Sequence, residues 1–111
     1  MEITTKSYKH CDVVTVTGRV DSSTAPKLSD VLDSINANGV YKIVVDMSGI
    51  EFMSSAGFRT ILAAQRTCKR YNRGELVLAC IPQRIYEAFE LTGFVPLFTI
   101  FDDLTAAVGY F

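Results

Sequence analysis

Ile50-Glu51-Phe52-Met53-Ser54-Ser55-Ala56-Gly57-Phe58 is a junction between two kinds of chain. Before it runs Tyr41-Lys42-Ile43-Val44-Val45-Asp46, whose continuous apolar centre predicts a strand buried on both faces. After it, Phe58, Ile61, Leu62, Gln65 and Cys68 recur at helical spacing, so a helix is predicted to Arg70. Two hydroxyls, a small residue and a glycine lie between. Serine is favoured where a helix begins, because its oxygen accepts a backbone N–H that the first turn leaves unpaired. A phosphate is well tolerated at the same place, where free N–H groups and the helix dipole favour negative charge. This turn is therefore either a plain cap or a serine placed to be phosphorylated.

The same reading extends in both directions. Residues 2–8 alternate weakly and predict an edge strand. Val13-Val14-Thr15-Val16-Thr17 is β-branched throughout and predicts a second strand, joined to the first by a hairpin at Lys9-His10-Cys11-Asp12. Gly18 is expected to break it, and residues 19–24 to form a polar loop. Leu28, Val31, Leu32 and Ile35 define one face of a helix from Ala25, closed by Asn36-Ala37-Asn38-Gly39. Asp46-Met47-Ser48-Gly49 reads as a turn, and Asn72-Arg73-Gly74 as a helix stop. Glu75 to Cys80 reads as a buried strand, and Cys68 and Cys80 as core thiols. Pro82 suits a helix first turn, with Ile85, Ala88 and Phe89 inward and Gly93 closing it. Phe94-Val95-Pro96 is a loop, Leu97 to Phe101 a last strand, and Asp102 or Asp103 the cap of a final helix over Leu104–Val108. The expected architecture is α/β: a mixed sheet of four to five strands with helices packed on it, antiparallel at the first hairpin and parallel across each β-α-β crossover.

Composition narrows the function. At 111 residues the chain is expected to form one domain, 1–111, with 49% apolar residues for its core. A net charge of −1 gives no basic footprint for nucleic acid. No apolar run is long enough for a membrane span, and no signal-peptide pattern opens the chain. Three scattered cysteines and the single His10 argue against a disulfide scaffold or a metal site and fit a reduced cytoplasm. No cofactor is expected. With His10 in a hairpin, no base stands ready to activate a serine, and neither a Gly-x-Ser-x-Gly elbow nor a Gly-Lys phosphate loop occurs. An enzyme is not expected; a small nucleotide-binding domain is the remote alternative.

Three segments carry a resemblance. Val45 to Phe58 resembles the signature of STAS domains, specifically the bacterial anti-sigma factor antagonists. Gly18-Arg19-Val20-Asp21-Ser22-Ser23-Thr24-Ala25-Pro26-Lys27-Leu28 resembles that family's Gly-x-Leu/Ile-Asp loop and first helix, and Phe89-Glu90-Leu91-Thr92-Gly93-Phe94 its Phe-x-x-Thr/Ser-Gly ending. The resemblance implies a partner-switching regulator. Its unphosphorylated form binds an anti-sigma serine kinase and releases a sigma factor; phosphorylation at the position of Ser55 blocks binding, and a PP2C-type phosphatase resets the switch. Ser54 stands where the family usually has Asp and is a second candidate acceptor. The implied contact surface comprises Asp21, Ser22, Thr24, Asp46, Ser54, Ser55, Gly57, Phe58 and Arg59. Asp21 and Asp46 are expected beside the serine, Gly57 is expected to let a partner approach closely, and the Gly57 and Phe58 N–H groups to receive a phosphate. A related alternative keeps the fold in a non-sigma switch that controls a phosphatase, secretion or biofilm formation.

Overall fold

The computed structural model describes residues 1–71 and 73–111, so Asn72 of the expected helix stop lies outside the described residues. The strands are β1 (Glu2–Ser7), β2 (Asp12–Val20), β3 (Lys42–Met53), β4 (Glu75–Ala79) and β5 (Ile100–Phe101). The helices are α1 (Ala25–Ala37), α2 (Ser55–Arg70), α3 (Gln83–Leu91) and α4 (Leu104–Gly109), with a 3-10 turn at Val95–Leu97. All five strands form one sheet in the order β1-β2-β3-β4-β5; β1 pairs antiparallel with β2 and the other neighbours are parallel. This is the expected mixed α/β architecture.

Spatial order repeats chain order, which decides where the helices go. Successive right-handed crossovers in one direction place α1, α2 and α3 on the same face. The side chains agree. Ile43, Val45 and Met47 of β3 point into a large core with Leu28, Leu32, Phe58, Ile61, Ile85 and Phe89 from these helices. Val44, one residue out of phase, faces a smaller cluster with Val13, Val77, Ala79 and Ala107, the last from α4. Within the larger core Phe89 stacks on Phe58 at 5.0 Å between centroids and meets Phe98 at 5.5 Å. Gln65 is the polar tie: buried on α2, it accepts the Leu76 N–H at 2.7 Å and donates to the Leu97 carbonyl at 3.0 Å.

The structure corrects several expectations. Asp46 to Gly49 is not a turn. β3 continues to Met53 through an irregularity opposite Thr15–Thr17, and Asp46 Oδ1 accepts the Ser48 N–H at 3.0 Å to hold it. A Cβ on Gly49 would lie 2.6 Å from Thr17 Cγ2, so the bulge fits because that residue has no side chain. Gly18 does not end β2. It takes φ +88° inside the strand at a second register shift, and pairing resumes to Val20. The last strand shrinks to Ile100–Phe101, because Pro96 sits in the 3-10 turn before it. Cys68 is buried as expected, but Cys80 lies past the end of β4, half-buried, with φ +59°.

Candidate functional site

β3 stops at Met53 because the chain must leave the sheet for α2. Ser54 makes that corner with extended backbone (φ −84°, ψ 172°), and its N–H donates to the Val20 carbonyl at 2.8 Å. The ends of β2 and β3 are thus tied together. Ser54 occupies the N-cap position, yet its hydroxyl caps nothing: Oγ is buried and has no hydrogen-bond partner among the described residues. Ser55 is the first residue of α2 and is exposed. One residue of helical phase therefore separates a hydroxyl shut inside the corner from one presented to solvent.

The Phe58 N–H is not free for a phosphate, since it donates to the Ser54 carbonyl at 3.2 Å. The N–H groups of the first turn, at Ser55, Ala56 and Gly57, precede the first residue able to bond back into the helix. Negative charge on Ser55 is favoured there by those groups and by the dipole. Arg59, exposed, follows Ser55 by four residues and shares its helix face.

Gly57 and Phe58 point the other way. Phe58 is 3% exposed and belongs to the core. Gly57 is also buried, and a Cβ there would come within 2.8 Å of Met53 Cγ and 2.9 Å of Val20 Cγ1. The glycine lets α2 press onto the ends of β2 and β3, rather than letting a partner approach. Gly57→Ala is expected to cost about 1–3 kcal/mol through overpacking. Denaturant unfolding checks this; an unchanged midpoint with an unchanged slope would show that Met53 and Val20 yield freely.

The loop after β2 packs beside this corner. Asp21 Oδ1 accepts the Ser23 N–H at 2.9 Å, the Ser23 hydroxyl at 2.7 Å and the Thr24 N–H at 3.2 Å. Thr24 Oγ1 accepts the Asp21 N–H at 2.9 Å and donates to the Arg19 carbonyl at 3.1 Å. Asp21 and Thr24 thus shape the loop, while Ser22 stays exposed. Ser22 joins Ala25, Pro26, Ala56, Arg59 and Thr60 in lining an open groove of ≈ 400 Å³ between the starts of α1 and α2.

The bonds from Ser23, then that from Thr24, hold the Asp21 carboxyl below its ordinary pKa. The folded value lies under the unfolded one. The loop's stabilisation is therefore complete above the unfolded carboxylate range and disappears as pH falls through the depressed folded value. An NMR titration should show Ser23 and Thr24 amide shifts following one acidic step that Asp21→Asn abolishes. Retention of that step in the variant would assign it to another group.

Asp46 is not part of this cluster. It lies seven residues before Met53 on β3, paired with Thr15 and Ala79, which places it on the order of 20 Å or more along the strand. Its work is the bulge. Two surface groups of the turn and of the 19–25 loop, neither singled out from the sequence, stand nearer: Phe52 is 40% exposed, and the Arg19 guanidinium lies over its ring at 4.4 Å. Alternation gave the signal, since Met53 points inward and its neighbour must point out.

A five-stranded mixed sheet with three helices on one face, and an exposed serine at the start of the helix after the long central strand, describe the STAS architecture. The chain belongs to the STAS domain family, whose model matches residues 2–107. It is 28% identical over 111 residues to BtrV of Bordetella bronchiseptica, a protein provisionally named an anti-sigma factor antagonist, covering 100% of this chain and 95% of that one. The crystal structure of an anti-sigma factor antagonist from Mycobacterium paratuberculosis superposes with a TM-score of 0.88 at 23% identity, over 98% of this chain and 92% of the other. The Bacillus cell fate determinant SpoIIAA in its phosphorylated form superposes with a TM-score of 0.76 at 16% identity, over 98% of each chain.

Proposed function

We propose that this chain is an anti-sigma factor antagonist acting in a partner switch, with Ser55 as the phosphoryl acceptor. The unphosphorylated protein binds an anti-sigma serine kinase in the cytoplasm and frees a sigma factor. Phosphorylation of Ser55 breaks that complex, and a PP2C-type phosphatase restores it. The chain is itself no catalyst and works as one domain.

The observation that carries this reading is the exposure of Ser55 at the first position of α2, beside a buried Ser54 hydroxyl. A kinase needs the hydroxyl outside, and the helix start accommodates the product. Added phosphate brings about −1.5 to −2 charges. Because Ser55 is exposed, the change falls on the surface rather than the core. The Ser22–Arg59 groove and the exposed Phe52 supply the adjoining contact area.

Incubation with ATP and the serine kinase encoded nearest to this gene tests the reading. Intact-mass analysis should show a single phosphoryl group, absent in Ser55→Ala and retained in Ser54→Ala. Modification that persists in Ser55→Ala would move the acceptor elsewhere. Absence of both modification and kinase binding would reject the sigma-switch reading.

A further inference from the structure

The sheet ends in two unlike edges. β5 has two residues, with α4 against it. β1 has six, five of them exposed, and among the described residues β2 is its only strand neighbour. We propose that two copies of this chain pair antiparallel along their β1 edges, about a two-fold axis at Thr4, joining the two sheets into one.

The backbone supplies the free bonding groups. Tyr8 N–H donates to the Cys11 carbonyl at 2.8 Å, which fixes the phase of the hairpin ladder. With Lys6 opposite Val13, Thr4 opposite Thr15 and Glu2 opposite Thr17, antiparallel alternation turns the main-chain groups of Glu2, Thr4 and Lys6 towards β2. Those of Ile3, Thr5 and Ser7 then face the open edge. A two-fold axis at Thr4 sets Ile3 against Thr5 of the second copy, and Thr5 against its Ile3. Each of these pairs exchanges both of its N–H and C=O groups.

The side chains select this register. Glu2 falls opposite the second copy's Lys6, Lys6 opposite its Glu2, and Thr4 opposite Thr4. Opposite charges and paired threonines are favourable cross-strand neighbours, while like charges directly opposed are not. Moving the axis two residues along the strand sets Lys6 against Lys6 or Glu2 against Glu2. The strand Glu2-Ile3-Thr4-Thr5-Lys6 is thus complementary to its own reverse about Thr4; an axis at Ile3 or Thr5 forfeits both Glu2–Lys6 pairs, and one at Glu2 or Lys6 opposes like charges. Ser55 follows β3, two strands in from this edge, so the pairing leaves it open.

Sedimentation equilibrium over a concentration series tests the proposal, with circular dichroism to show that each variant folds. Wild type should move from monomer to dimer as concentration rises. Glu2→Lys and Lys6→Glu should each weaken self-association by about tenfold or more. An equimolar mixture of these two variants should recover it, because all four facing charges are then opposite in sign. Thr5→Pro, which removes an outward N–H and leaves the β2 ladder intact, should also weaken it. A wild type that stays monomeric throughout overturns the proposal and leaves the edge to a foreign strand. A dimer indifferent to the charge reversals, or not restored by mixing, overturns it as well.

Discussion

Ser55→Asp is expected to bind the anti-sigma kinase about 2–5 kcal/mol more weakly than wild type, while its unfolding midpoint holds or rises slightly. The two halves of this expectation have separate causes. Ser55 is exposed at the start of α2, so the substitution removes no packing. A carboxylate there suits the helix dipole and adds about 0.3–1 kcal/mol to stability. In a closed interface the same charge loses its water without gaining a partner, which is what costs affinity. Ser55→Asn separates charge from shape, since it has the same outline as Asp and no charge. Calorimetric titration of the three proteins against the kinase should leave Asn close to wild type. Equal losses for Asp and Asn would make the effect steric and remove the electrostatic basis of the switch.

Phe89→Ala should be the most damaging single truncation, at about 3–5 kcal/mol. The ring is 1% exposed and lies between Phe58 of α2 and Phe98 beyond the 3-10 turn. Removing it empties the place where α2 and α3 meet the segment leading to β5. Against a typical total of 5–15 kcal/mol, such a loss takes much of the fold's margin. Leu91→Ala is the matched control, because Leu91 is 91% exposed two residues away. Guanidinium unfolding should separate the two widely. Similar midpoints would mean that the aromatic stack contributes little and that the sheet carries the core alone.

The sequence made the element order legible because its hydrophobic periods are clean. Ile43-Val44-Val45 and Leu76-Val77-Leu78 are buried on both faces, and Leu28, Leu32 and Ile35 line one side of α1. Boundaries were less legible where polar residues or glycine sit inside a strand. Asp46, Ser48, Gly49 and Gly18 carry turn chemistry, yet here they build irregularities that let β2 and β3 run on together. Tertiary pairing outweighed local preference. At the site, the resemblance put Ser55 first and Ser54 second, but periodicity alone does not show which hydroxyl is covered, since one residue of helical phase decides it. Gly57 and Phe58 stood in the motif beside Ser55, and only the packing of α2 on Val20 and Met53 turns them inward. Asp46 falls outside the cluster because the strand between it and Ser54 stays extended.

The sheet grows in the order in which the chain is synthesised, β1 to β5. No later strand has to be threaded between two already joined. As the chain leaves the ribosome, each strand meets a neighbour that is already in place, and the closures are no longer than one crossover. The energetic cost of bringing ends together is thereby kept low at every stage, which favours rapid assembly despite the parallel pairing. Until β4 arrives, the apolar flank of β3 is the surface that a nascent chain must keep from aggregating.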